Sequence, residues 1–204
     1  LSNLNIPFLG LYNACATFPE SLIVASKFVD SSNLIMCVVS SHSLSAERQF
    51  RYPVEYGALK PHTATSTTTG AVSVLVSKKK SNIKLTSYTI GRVCDMGIKD
   101  ANNMGAVMAI GAANTLYNHL SKINKKCDYY DLILTGDLGK IGSNIFKDYL
   151  KEQHNIVINN HLDAGAILYK DNQEISIFIK EEKEIDHSND DNDWLSVKRD
   201  YNYR

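Results

Sequence analysis

Cys15 is the residue of this sequence with the clearest capacity for chemistry, and it lies within an apolar stretch at residues 6–29. The short apolar run at 6–11 predicts the end of a buried strand. Thr17 and Glu20 then have the spacing of a capping box, which predicts the start of a helix. The free N–H groups and positive dipole end of a helix stabilise a thiolate or a bound anion. We therefore expect an anion or thiolate site at this corner.

His42 follows a second apolar run, residues 33–40, which is short enough to be a buried central strand. Open α/β folds place ligands at the carboxyl ends of such strands, so His42 is a candidate by position. The alternative is a loop histidine whose ring is satisfied by the neighbouring hydroxyl groups.

Arg48 and Arg51 are three residues apart, so one helical turn would place both guanidinium groups on the same side. Such a pair suits a ligand that bears carboxylates, because each fork can donate two parallel hydrogen bonds. The alternative is an internal clamp in which Glu47 and Glu55 neutralise the two arginines.

The rest of the sequence alternates between strand and helix patterns, which predicts an α/β fold. Gly105 and Gly111 fall inside a predicted helix, where they indicate close packing against another element. A threonine run before the alternating valines supplies Thr68 as a candidate hydroxyl or backbone donor, although such runs are also common in plain strands. The predicted elements are a strand within 63–76 paired in a hairpin with 83–87, a helix at 100–124, a strand at 130–135, a helix at 143–153, and short strands at 156–158 and 166–169.

Composition narrows the class of protein. The chain has 204 residues and a formal net charge of zero, which gives no support for a nucleic-acid partner. No apolar run reaches the length of a membrane span and no signal peptide is recognisable, so we expect a cytoplasmic protein. The four cysteines show no CxxC pair, which argues against zinc ligation and a disulfide framework.

The last part of the chain differs in composition. Acidic residues outnumber basic ones over 173–204, whereas basic residues predominate over 1–172. We expect a folded domain at 1–172 and an acidic, divergent tail at 173–204, in which EISIFIK is a candidate edge strand.

Four motifs, LGLYNACAT, SSHSLSAERQFRYPVEYG, GRVCDMGIKDANNMG and YDLILTGDLGKIG, together resemble the stage V sporulation protein AD family of endospore-forming bacteria. The resemblance runs from about residue 6 to about residue 173. It implies a partial thiolase-like fold, a mixed sheet with helices packed on both faces. It further implies a sporulation protein, peripheral to the inner spore membrane, that binds dipicolinic acid, as the free acid or with calcium, and assists its uptake into the spore. Other stage V A proteins are the implied partners, a homodimer is possible, and no cofactor or metal is expected.

The resemblance places Cys15 at the nucleophile position of the related condensing enzymes, so a Cys-dependent acyltransferase or ketoacyl synthase-like activity is the alternative function. The residues expected to bind the ligand are Cys15, His42, Arg48, Arg51, Tyr56 and Thr68. Two departures stand against catalysis: Asp137 stands where ketoacyl synthases carry a histidine, with His161 the nearest substitute in sequence, and the second catalytic segment is missing. Ala16 replaces a serine, so a hydroxyl that could contact a ligand is absent. The family's upstream and downstream segments are also missing, as expected of a fragment.

Overall fold

The computed structural model describes residues 3, 5–42, 68–100 and 103–168. They form two compact units, one containing 5–42 and 68–80 and the other containing 81–100 and 103–168. The combination of helices and strands confirms the predicted α/β class. The elements are α1 (Thr17–Phe28), β1 (Leu34–Ser41), β2 (Gly70–Ser77), α2 (Met104–Ile123), β3 (Ile133–Thr135), α3 (Gly139–His154), β4 (His161–Asp163) and α4 (Ala164–Leu168).

The first unit is a two-stranded antiparallel sheet with α1 packed on one face. The predicted strand at 33–40 is confirmed as β1, but its side chains alternate between covered and exposed, so it is not buried on both faces. Cys37 lies on the covered face, where its thiol donates to the Ser21 carbonyl oxygen at 3.4 Å. The side chains alternate because α1 packs on one face of the sheet, while the described residues provide no helix on the other face.

The predicted hairpin between the valine strand and residues 83–87 is wrong. The valine strand, β2, pairs with β1 instead, in a register that sets Cys37 opposite Val74. Residues 83–87 are in neither a helix nor a strand. Alternation showed that a strand was present, but pairing is fixed by which other strand presents a matching apolar face.

Two predictions about the region around Cys15 are also corrected. Residues 6–11 form no strand: residues 6–10 are exposed and Leu11 is half-buried, and Pro7 has no N–H to give to a ladder. The capping box does not form, because α1 already includes Thr17. The Thr17 hydroxyl instead donates to the Ala14 carbonyl oxygen at 2.7 Å and accepts from the Asn13 N–H at 3.0 Å.

The second unit is organised on α2, which confirms the predicted helix at 100–124. Its start is capped by Asn103, whose side-chain oxygen accepts from the Ala106 N–H at 3.4 Å. Its end is set by Asn124 in the left-handed conformation, with φ of 52°. No helix in the described part of the chain is both long and apolar enough to cross a bilayer.

After α2, the chain forms a strand, turn and helix unit. β3 confirms the core of the predicted strand at 130–135, and α3 begins four residues earlier than predicted, at Gly139. β3 pairs in parallel with β4, and both strands are short. The strands predicted at 156–158 and 166–169 are wrong, because the paired strand is β4 and the next residues are in the short helix α4.

The segment before α2, residues 81–100, is tied to that helix by His119. His119 Nδ1 lies 2.9 Å from Thr89 Oγ1, and its Nε2 lies 2.6 Å from the hydroxyl of Tyr130. His154, at the end of α3, stacks on Tyr117 with ring centroids 4.0 Å apart. These polar and ring contacts connect the segment before α2, α2 itself and the end of α3. No pattern in the sequence predicted them.

The core of the second unit lies between α2 and α3, where Phe146 and Leu150 are the largest fully buried side chains. The two helices cross at Gly105 and Gly142. A Cβ added at Gly142 would lie 2.8 Å from the Gly105 carbonyl oxygen, and one added at Gly105 would overlap the Leu138 carbonyl oxygen. The predicted close packing is therefore confirmed at Gly105. It is wrong at Gly111, where an added Cβ meets nothing within 4 Å.

We predict opposite effects of alanine at these two glycines of the same helix. Gly105→Ala forces the helix crossing apart and should lower the free energy of unfolding by about 2 kcal/mol. Gly111→Ala only gains helix propensity and should raise it by about 0.5–1 kcal/mol. Urea denaturation of both variants beside the parent chain measures the difference. Equal effects would mean that the crossing at Gly105 is not as close as described.

Candidate functional site

Three of the six predicted ligand-binding residues lie at one end of the first unit. α1 and β1 are joined by a turn and pack against each other. The start of α1 and the end of β1 therefore lie at the same end of the unit. Cys15 lies in the turn just before α1, two residues ahead of Thr17, and His42 immediately follows β1. The Ser41 hydroxyl donates to the Thr68 carbonyl oxygen, which brings the entry of β2 to the same end.

Cys15 lies in a single 3-10 turn, Ala14–Ala16, that leads directly into α1. Its thiol is exposed. The residue before it, Ala14, is in the left-handed region with φ of 43°, which a residue with a Cβ rarely adopts. Ala16 occupies the N-cap position and has no side chain that could cap the first-turn N–H groups. The Thr17 N–H donates to the Ala14 carbonyl oxygen and Pro19 has no N–H, so the first turn offers at most the Phe18 N–H as a backbone donor. The start of α1 therefore presents that donor and a positive dipole end next to the exposed Cys15.

His42 and Thr68 are both exposed at that end. The ladder register ends with Ser41 opposite Gly70, so His42 and Thr68 flank the last paired residues of the two strands. Arg48, Arg51 and Tyr56 lie outside the described residues, and their part in the site stays a prediction.

A second polar cluster, in the second unit, is centred on Asp163 at the end of β4. Its side chain is 3% exposed. One carboxylate oxygen accepts from the Gly139 N–H at 2.9 Å and the Ala166 N–H at 3.0 Å. The other accepts from the Leu138 N–H at 3.1 Å and the Thr135 hydroxyl at 2.7 Å. One buried carboxylate thus joins β3, the following turn, the start of α3 and the start of α4.

His161 belongs to the same cluster, two residues earlier on β4 and on the same face of the strand. Its Nε2 lies 2.8 Å from Thr135 Oγ1, and its ring packs on Phe146 with centroids 4.8 Å apart. The threonine has one hydroxyl proton and gives it to Asp163, so His161 Nε2 must be the donor in the remaining bond. The hydroxyl of Thr135 is therefore held between a donor and an acceptor and is not activated as a nucleophile.

Asp137, which the resemblance placed at the position of a catalytic histidine, is exposed in the turn between β3 and α3. Its φ of 63° is in the left-handed region. Gly165 packs closely against this turn, because an added Cβ would lie 3.1 Å from the Asp137 Cα. The described structure gives Asp137 a role in the shape of the turn.

Sequence reasoning named His161 and Asp137 but missed Thr135 and Asp163. A signal was present. His161 and Asp163 are at alternating positions after a pair of asparagines, which is the pattern of a short strand with two polar residues on one face.

We predict that Asp163→Asn destabilises the chain strongly. The amide replaces one of the two accepting oxygens with a donor, so at least one buried N–H or hydroxyl group loses its partner. The free energy of unfolding should fall by roughly 2–3 kcal/mol. Asp148→Asn, an exposed change on α3, is the matched control and should alter it by less than about 0.5 kcal/mol. Urea denaturation that gave the two variants similar stabilities would contradict the role of Asp163.

His161 should make stability depend on pH. Burial, and then the nearby Lys147 charge, lower the pKa of His161 below its ordinary value, against an opposing effect of Asp163. Because the pKa is lower in the folded chain, its contribution to stability is present above the unfolded value of about 6.5 and is lost as the pH falls through the folded value. Replacing His161 with Gln should remove that loss, so the stability difference between parent and variant should shrink between neutral pH and pH 5. A difference that stayed constant over this range would contradict the prediction.

Comparison with known proteins agrees with the motifs. The sequence profile of the family described as stage V sporulation protein AD matches residues 1–177. A protein of Bacillus subtilis (strain 168) named stage V sporulation protein AD is 47% identical over 175 residues, which is 85% of this chain and 52% of that protein. The chain thus spans about half the length of the curated relative it matches. The chain belongs to the stage V sporulation protein AD family.

Proposed function

We propose that this chain binds dipicolinate, alone or as its calcium complex, at the end of the first unit that carries Cys15, His42 and Thr68, and that it assists uptake of this ligand into the developing spore. Membership of a sporulation family supports the process. The site is supported by three features that lie together: the start of α1, which has no side-chain cap, the end of β1, and the start of β2.

The chemistry of the ligand fits this set of groups. Dipicolinate is a flat pyridine ring with two carboxylates. A site that binds it needs hydrogen-bond donors at the edge of the ring, close to the ring plane. The Phe18 N–H and the positive dipole end of α1 can receive one carboxylate. The imidazole of His42 and the hydroxyl of Thr68 can donate at the edge of the ring. Arg48 and Arg51, which the sequence places shortly after β1, are the candidates for a forked contact with the other carboxylate.

The assembly is part of the same proposal. The chain would act with other stage V A proteins at the inner spore membrane, associated peripherally, while its partners supply the passage for the ligand. The related thiolase-like architecture, in which binding sites form at strand ends and helix starts, is consistent with such a role.

Isothermal titration of the full chain with dipicolinate, with and without calcium, tests the proposal. We expect saturable binding that falls at least about tenfold in His42→Ala and in Arg51→Ala, because each change removes a hydrogen bond to a charged group. Isophthalate carries the same two carboxylates without the ring nitrogen and should bind with no response to calcium.

Arg92→Ala is the matched control for charge, because Arg92 is exposed and lies in the second unit. It should bind dipicolinate like the parent chain. Absence of saturable binding by a chain that circular dichroism shows to be folded would overturn the proposal. If Arg92→Ala and Arg51→Ala lost the same affinity for dipicolinate, the loss would reflect net charge and not a contact made by Arg51.

A second candidate function rests on the exposure of Cys15 at a helix start, where a thiolate is stabilised. In this acyltransferase reading, the Cys15 thiolate attacks the carbonyl carbon of a thioester, the acyl group moves to its sulfur, and the donor thiol leaves. Incubation with an acyl thioester followed by mass spectrometry should then find the acyl group on Cys15 and find none in Cys15→Ala. An unmodified parent chain would exclude this function.

A further inference from the structure

The turn that carries Cys15 is closed around that residue by hydrogen bonds. The Ala16 N–H donates to the Asn13 carbonyl oxygen at 2.8 Å. The Thr17 N–H donates to the Ala14 carbonyl oxygen. The Thr17 hydroxyl makes two further bonds, donating to the Ala14 carbonyl oxygen at 2.7 Å and accepting from the Asn13 N–H at 3.0 Å. One side chain therefore binds backbone groups on the opposite side of Cys15.

The conformation that these bonds hold is an unfavourable one. Ala14 has φ of 43°, in the left-handed region, where the Cβ of an alanine crowds the backbone. Such a conformation persists only when the surrounding contacts fix it. Without the Thr17 hydroxyl, the Ala14 carbonyl oxygen keeps one of its two bonds and the Asn13 N–H loses its described acceptor. The turn can then relax, which moves Cys15 relative to the start of α1.

A second bond separates Thr17 from an ordinary helical hydroxyl. Serine and threonine commonly donate to a carbonyl oxygen one turn earlier in a helix, so that bond alone indicates nothing. Ser26 of the same helix makes it, to the Ile23 carbonyl oxygen at 2.6 Å. The Thr17 hydroxyl also accepts from the Asn13 N–H, which lies before the helix. It therefore fixes the turn that leads into α1, where the N-cap residue Ala16 has no side-chain acceptor.

We infer that Thr17 is a positioning residue for the end of the first unit proposed to bind dipicolinate. Its hydroxyl fixes the left-handed turn, and the turn fixes the place of Cys15 at the start of α1. The link to the ligand rests on the proposed function, whereas the hold on Cys15 does not. The capping-box pattern singled out Thr17 as the cap of its own helix, but its hydroxyl binds the turn before the helix.

The rate of Cys15 alkylation by iodoacetamide, measured against pH on the full chain, tests the hold on Cys15. Trypsin releases Cys15 in the peptide 1–27, whose sequence has no other cysteine, so mass spectrometry follows this thiol alone. Thr17→Val keeps the side-chain shape and removes the hydroxyl. Its alkylation rate near neutral pH should fall at least about threefold and its pH profile should move to higher pH, because a helix start stabilises a thiolate held beside it. Thr17→Ser keeps the hydroxyl and should restore the parent profile.

Ser26→Ala is the matched control, because it removes a hydroxyl-to-carbonyl bond of the same helix at a distance from the turn. It should be alkylated at Cys15 like the parent chain. An unchanged or faster rate in Thr17→Val would overturn the inference. So would a Thr17→Ser variant that behaves like Thr17→Val, or an equal shift of the pH profile in Ser26→Ala.

Isothermal titration of the same variants with dipicolinate tests the link to the ligand. Thr17→Val should bind at least about threefold more weakly than the parent chain, while Thr17→Ser and Ser26→Ala should bind equally well. A parent chain that binds dipicolinate but loses no affinity in Thr17→Val would overturn that link. A parent chain that binds no dipicolinate would overturn the proposed function instead, and the alkylation profile would still decide the role of Thr17.

Discussion

The buried carboxylate of Asp163 is the constraint on which the second unit depends. It accepts four hydrogen bonds, one from Thr135 of β3, two from the N–H groups of Leu138 and Gly139 at the start of α3, and one from Ala166 of α4. A helix start buried without an acceptor would leave costly unsatisfied donors. Here a side chain from a different strand provides the acceptor. The same bonds fill the helix start that would otherwise attract an anion, so the turn after β3 is structural in this chain.

The contrast between the starts of α3 and α1 explains where a ligand is expected. At α3, Asp163 occupies the Leu138 and Gly139 donors. At α1, the N-cap residue is Ala16, which offers no side-chain acceptor. Both helices follow a sharp turn with a residue in the left-handed region and begin beside strand ends, but only α1 begins beside an exposed cysteine and without a side-chain acceptor. The resemblance to condensing enzymes and the proposal of dipicolinate binding therefore concern the same place.

The packing of each unit shows the same dependence on small residues and covered faces. In the second unit, α2 and α3 approach closely because Gly105 and Gly142 have no side chains at the crossing. In the first unit, α1 packs on one face of the two-stranded sheet and buries Cys37 there.

The sequence by itself determined the α/β class, the helices around Pro19 and along α2, the strand that became β1, and the family, because periodicity, capping residues and long collinear motifs are local properties. Tertiary structure alone decided that β2 pairs with β1 and that residues 6–11 form no strand, because partner choice depends on distant apolar faces. It alone joined Thr135, His161 and Asp163, which are brought together by a parallel pairing across α3. Buried polar clusters have no period in the sequence, since their members come from separate elements, so only the folded chain reveals them.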